Sequence, residues 1–147
     1  MPGRVRAGRR SYEAARLFFL PRKAGRKCSD FRQDTCIEEA RSELRNKARP
    51  ALKKFPENID SYDAVFVCYP NWWGTMPMPM FTFLEHFDWA GKKVIPLCTN
   101  EGSGMGSSER DLAKACAGAA IAHGLSVHGA ETAASEKKIA DWAKKSV

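Results

Sequence analysis

Residues 63–74, DAVFVCYPNWWG, begin with a run of β-branched and aromatic side chains and end in a proline, two tryptophans and a glycine. An apolar run without polar alternation is the pattern of a strand covered on both faces, as in a parallel sheet. Pro70 stops the run, because proline has no N–H to give a sheet ladder. The chain continues as YPNWWGTMPMPM (69–80), too rich in proline for a helix interior and too bulky to sit idle in water.

Working outward, two more strand-like runs follow. KKVIPLC (92–98) runs into the loop TNEGSGMGSS (99–108), and AAIAHGLSVHG spans 119–129. Helical patterns separate them. PMFTFLEHF (79–87) suits a short helix with Pro79 in its first turn. SERDLAKACA (108–117) follows, with Ser108 and Asp111 at capping-box spacing. Upstream, DTCIEEARSELRNKA (34–48) places Ile37, Ala40, Leu44 and Ala48 on one face, with Asp34 as a cap and Pro50 as a limit. At the end, SEKKIADWAKK (135–145) aligns Ile139 with Trp142. Strand alternating with helix predicts an α/β fold with a parallel sheet. In such sheets ligands bind beyond the carboxyl ends of the strands. The two unusual loops each follow a strand directly, so both are expected at that same end.

The length of 147 residues fits one domain with a sizeable core. No apolar run approaches the roughly 18–20 residues of a membrane span, so no membrane partner is expected. The net charge of +7 is local. Residues 1–33 hold ten Lys or Arg against Glu13 and Asp30, whereas residues 34–60 hold six of each sign and residues 61–147 hold eight basic against nine acidic. This start reads as a basic, weakly patterned segment, with a strand over ARLFFL (15–20), ahead of a domain over 34–147. Without interleaved aromatics or a known module, it does not argue for nucleic acid. Five cysteines in no C-x-x-C pair read as reduced thiols of a cytoplasmic protein, with Cys68 and Cys98 buried inside apolar runs.

Tryptophans in the first loop offer flat π surfaces, and Gly74 lets backbone approach a ligand. The second loop has three glycines within five residues, so its N–H groups can converge on one target. Together they suit a planar heteroaromatic with carbonyls at its edge, such as a flavin. Spacing alone leaves core packing or a partner surface equally open for the tryptophans. The loops match neither G-x-x-x-x-G-K-[ST] nor G-x-G-x-x-G. His86, His123 and His128 have no metal-ligand spacing, and no nucleophile motif is present. No metal and no catalytic side chain are therefore expected.

The blocks YDAVFVCYPNWWGTMP, TFLE, DWAGKKVIPLCT and EGSGMGSS, in this order and spacing, resemble the flavodoxin-like family of small FMN proteins with a Trp-Trp loop. The resemblance covers about three quarters of the chain. It implies a three-layer flavodoxin-like fold, a parallel sheet in the order 2-1-3-4-5 with helices on both faces and FMN at its switch point. Residues 63–69, 92–98 and 119–128 would be its third, fourth and fifth strands. Pro70, Asn71, Trp72, Trp73 and Gly74 would then pack on the flavin ring. Thr99, Asn100, Glu101, Gly102, Ser103 and Gly104 would line its other edge.

The activity implied is FMN-dependent electron transfer or NAD(P)H-dependent flavin or quinone reduction. Its partners would be a redox protein or a small electron acceptor. The family's opening strand and phosphate-binding turn are not legible in residues 1–33, so the expected domain is incomplete at its N-terminal side. The alternative is a non-catalytic truncated member, or a subunit completing its sheet with another chain, including a second copy of itself.

Overall fold

The computed structural model describes residues 4–7, 10–13 and 33–147. The strand expected over residues 15–20 lies outside them. Strands β1 (Arg4–Ala7) and β2 (Arg10–Glu13) pair antiparallel in a small sheet of their own. The main sheet follows. Helix α1 (Gln33–Arg45) leads to strand β3 (Ala64–Pro70), then helix α2 (Met78–Leu84) and strand β4 (Lys93–Asn100). Helix α3 (Ser108–Ala115), strands β5 (Ala120–Ile121) and β6 (Leu125–His128) and helix α4 (Glu136–Ser146) complete the chain.

Every pairing in the main sheet is parallel, with β4 in the centre, β3 on one side and β5 then β6 on the other. Helices cover both faces. Val67, Tyr69, Val94 and Cys98 join Leu84 and Met76 of the α2 segment and Leu112 and Cys116 of the α3 segment in one buried core. On the opposite face Phe66 meets Trp142 of α4 edge-on, with 5.6 Å between ring centroids. This is the α/β fold with a parallel sheet that the sequence pattern predicts, in the three-layer form that the family resemblance implies.

The run over 119–129 forms two strands, and Pro96 gives a physical reason. Ala120 and Ala122 donate to the carbonyls of Lys92 and Val94, so the even-numbered residues of β4 face β5 and β6. Pro96 falls in that series and has no N–H to offer. The register shifts at this point, from Val94 opposite Ile121 to Leu97 opposite Leu125. One extra residue in the outer strand bulges past the proline. The Gly124 N–H within the bulge is taken instead by the Glu109 carboxylate at 2.6 Å.

Three local expectations are corrected. Asp34 lies inside the first turn of α1, which begins at Gln33, so it is not the cap. The cap position of α3 is Ser107; Ser108 is buried, where it accepts from the Tyr69 hydroxyl and donates to the Met105 carbonyl. Cys68 is exposed rather than buried, because strand alternation turns it away from the core that holds Val67 and Tyr69. Cys98 is buried as expected.

Helix α1 ends in a Schellman motif, with Ala48 N–H donating to Glu43 O and Lys47 N–H to Leu44 O. The residue in the left-handed conformation is Lys47, at φ 48°, where glycine is usual. Arg49 then caps the freed end. It donates to the carbonyls of Lys47 and Ala48 and forms a two-bond ion pair with Glu85, each bond 2.6 Å. That pair raises the guanidinium's pKa and lowers that of Glu85.

Candidate functional site

The two loops meet at the carboxyl ends of β3 and β4, as the pattern requires. Asn71 N–H extends the ladder to the Thr99 carbonyl at 2.7 Å. Beyond it the chain reverses tightly. Trp72 and Thr75 exchange both backbone bonds, at 2.8 and 3.1 Å, around Trp73 and Gly74. Their φ values are 54° and 82°, both positive as a type I′ turn demands. A tryptophan in this region stores strain of about 1–3 kcal/mol, which the surrounding contacts must offset. The turn leaves Trp73 48% exposed.

Those contacts are polar and specific. Asn71 Oδ1 accepts the Gly74 N–H, and Asn71 Nδ2 donates to the Gly104 carbonyl, both at 2.9 Å. The Gly74 carbonyl accepts the Ser107 N–H at 2.7 Å. A side chain on Gly106 would collide with that carbonyl, so glycine there allows the two backbones to touch. Asp111 Oδ2 receives the hydroxyls of Thr75 and Ser107, both at 2.7 Å, joining the Trp loop to α3. Burial pushes the Asp111 carboxyl up, but the two hydroxyls together with the charges of Arg110 and Lys114 hold its pKa below the usual value.

The second loop is organised by Asn100. This buried side chain accepts the N–H groups of Gly102 and Gly104 at 2.9 and 3.0 Å and donates to Ser126 Oγ at 2.8 Å. Among the described residues, the N–H groups of Glu101 and Ser103 have no internal acceptor. The Glu101 carboxylate lies 3.6 Å from His128 Nε2, and a side chain on Gly129 would collide with it.

Between the loops lies a cleft of about 340 Å³, within the range of small-ligand sites. It is lined by Pro70, Asn71, Trp73 and Gly74 from one loop and by Thr99, Asn100, Glu101 and Ser103 from the other. Trp72, Gly102 and Gly104 are not on its wall. Trp72 closes the turn, and the two glycines point their N–H groups at Asn100. Gly129 is an additional wall residue. It arrives because β6 pairs with β4, bringing His128 opposite Asn100, and no local motif marked it.

The other titratable groups stand apart. His86 stacks on Phe55 with ring centroids 3.8 Å apart, and His123 lies 3.5 Å from Glu109. No cluster able to hold a metal ion exists among the described residues. Burial pushes the Cys98 thiol up to about 11 and that of Cys116 up to about 12, which removes both as nucleophiles.

Comparison with known proteins gives a consistent picture. A family model described as flavodoxin matches residues 29–146. A candidate flavoprotein of Bacteroides eggerthii is 28% identical, with a TM-score of 0.68 over 86% of this chain and 78% of its own. One of Bacteroides uniformis is 30% identical, with a TM-score of 0.63 over 72% of this chain and 66% of its own. A flavoprotein of Lactobacillus acidophilus, solved in complex with FMN, shares the fold at 16% identity, with a TM-score of 0.55 over 78% of this chain and 72% of its own. No curated protein matches.

Proposed function

The chain belongs to the flavodoxin family, and on that premise we propose that it is an FMN-binding redox protein whose flavin ring occupies the cleft between the two loops. The observation that carries this reading is the composition of the cleft. An exposed tryptophan stands on one wall, and Glu101 and Ser103, whose N–H groups have no internal acceptor among the described residues, stand on the other. That pairing suits a flat ring with carbonyl acceptors at its edge. The described residues fit the ring end of FMN; the phosphate end has no counterpart among them.

FMN, when bound, supplies the electron chemistry. The chain's own residues bind and tune. Trp73 offers a π face and excludes water from one side. Asn71 and Asn100 keep the loops at a fixed spacing, so the donors need no reorganisation. The Glu101 carboxylate, 3.6 Å from His128 Nε2, opposes any build-up of negative charge in the cleft. The corresponding partners are a redox protein or a small electron acceptor, with NAD(P)H as a donor class. The free thiols of Cys68, Cys98 and Cys116 suit a reducing cytoplasmic setting. No described helix is long and apolar enough to cross a membrane.

The test is titration of the purified chain with FMN, following flavin fluorescence. Stacking on Trp73 should quench it; no quenching at about tens of micromolar FMN, a modest affinity, would remove the reading.

A second reading has its own observation. Among the described residues β3 pairs only with β4, so the main-chain groups of Ala64, Phe66 and Cys68 face an open sheet edge. A subunit that completes its sheet with another chain would use that edge. A clean monomer in size-exclusion chromatography would count against it.

A further inference from the structure

Trp73 is poorly constrained by its own surroundings. Its backbone is left-handed, at φ 54°, and nearly half of the residue is exposed. Neither a relaxed turn nor enclosure in the core fixes the orientation of the indole. A cleft wall needs a fixed plane, so something else must hold it.

Helix α1 supplies a candidate. The Arg41 guanidinium carbon lies 4.4 Å from the centroid of the Trp73 ring, well inside the cation–π range of about 6 Å. One turn earlier, Glu38 lies 3.8 Å from the same guanidinium. The helix is anchored just past its C-terminal end at Arg45. There Arg49 forms its two-bond pair with Glu85 and also lies over the Phe81 ring at 5.0 Å. Arg41 therefore projects from an anchored helix onto a half-exposed ring. It is not a wall residue of the cleft, so any influence on a ligand passes through Trp73.

We infer that Arg41 is a positioning residue for the flavin site, holding the Trp73 indole as the cleft wall through a cation–π contact from α1. The inference rests on the reading of the cleft as an FMN site. Arginine suits the task better than lysine, because its planar guanidinium stacks on an aromatic face.

The experiment compares the full chain with its Arg41→Gln, Arg41→Lys, Trp73→Ala and Arg41→Gln/Trp73→Ala variants. Two quantities are read: the FMN dissociation constant from flavin fluorescence, and acrylamide quenching of tryptophan emission in flavin-free protein. Arg41→Gln should weaken FMN binding about two- to fivefold, the size of an exposed cation–π contact, and should increase acrylamide quenching. Arg41→Lys should fall between the two. In the Trp73→Ala background, Arg41→Gln should change neither quantity.

Unchanged FMN affinity in Arg41→Gln would overturn the inference. An equal loss in the Trp73→Ala background would also overturn it, because Arg41 would then act by another route. If the unaltered chain does not quench FMN at all, the cofactor reading falls and this inference falls with it. Binding by the unaltered chain with no effect of Arg41→Gln removes only the inference.

Discussion

Asn71 Nδ2 donates to the carbonyl of Gly104 at 2.9 Å, so one side chain fastens the Trp loop to the glycine-rich loop. Its other end accepts the Gly74 N–H inside the turn. Replacing Asn71 with alanine leaves both backbone groups without these partners. The expected loss is about 1–3 kcal/mol of unfolding free energy, with weaker FMN quenching, read by urea denaturation and titration. Asn71→Asp keeps the acceptor for Gly74 but sets a carboxylate against the Gly104 carbonyl. Its stability should therefore not recover to that of the unaltered chain.

The strained turn makes the opposite kind of prediction. Trp73 sits where a type I′ turn favours asparagine or glycine. Trp73→Asn should leave the flavin-free chain as stable or up to about 1 kcal/mol more stable, while FMN quenching falls. A clear loss of stability without flavin would show that Trp73 is held there for packing instead.

Lys47 is a strained residue away from the cleft. At φ 48° it occupies the position of a Schellman motif that glycine takes with least cost. Lys47→Gly should raise the unfolding free energy by about 0.5–1 kcal/mol and leave FMN affinity unchanged. An equal or lower thermal midpoint would contradict this account of the helix end.

The Asp111 carboxylate has a pH signature. Burial pushes the carboxyl up, but hydroxyl donors from Ser107 and Thr75, with the charges of Arg110 and Lys114, leave its pKa in the folded chain below the ordinary value of 3.8. A depressed pKa contributes stability that is fully present above the unfolded value and is lost as pH falls through the folded one. Glu85, lowered by Arg49, behaves in the same way. Urea midpoints measured from neutral pH to about pH 3 should therefore drop steeply below about pH 4. Asp111→Asn should be less stable at neutral pH and show a shallower acid limb.

Among the described thiols, Cys68 is exposed, whereas Cys98 and Cys116 are fully buried. Alkylation of the native chain near neutral pH, mapped by peptide mass spectrometry, should mark Cys68 before Cys98 and Cys116. Burial raises the pKa of Cys98 and Cys116, and surrounding protein partly desolvates the Cys68 thiol and raises its pKa even though its surface is exposed, so even Cys68 should react more slowly than a free thiol.

Chain-local physics made most of this architecture legible. Apolar runs marked β3 and β4 to within a residue or two, since burial on both faces leaves no polar alternation. Loops that directly follow parallel strands must emerge at one end of the sheet. Eight residues expected at the site from sequence do line a common cleft. What the sequence could not show depends on which strand lies beside which. The break between β5 and β6 answers to Pro96 in the neighbouring strand. Gly129 reaches the cleft only through the pairing of β6 with β4. The different roles of Trp72 and Trp73 come from a turn whose strain is offset by Asn71, Ser107 and Gly106, the last two more than thirty residues away. The sequence by itself determined the order of elements and the end of the sheet where chemistry can occur. The tertiary structure decided which tryptophan faces the cleft, because contacts between distant loops, not local propensity, select a left-handed backbone at a bulky residue.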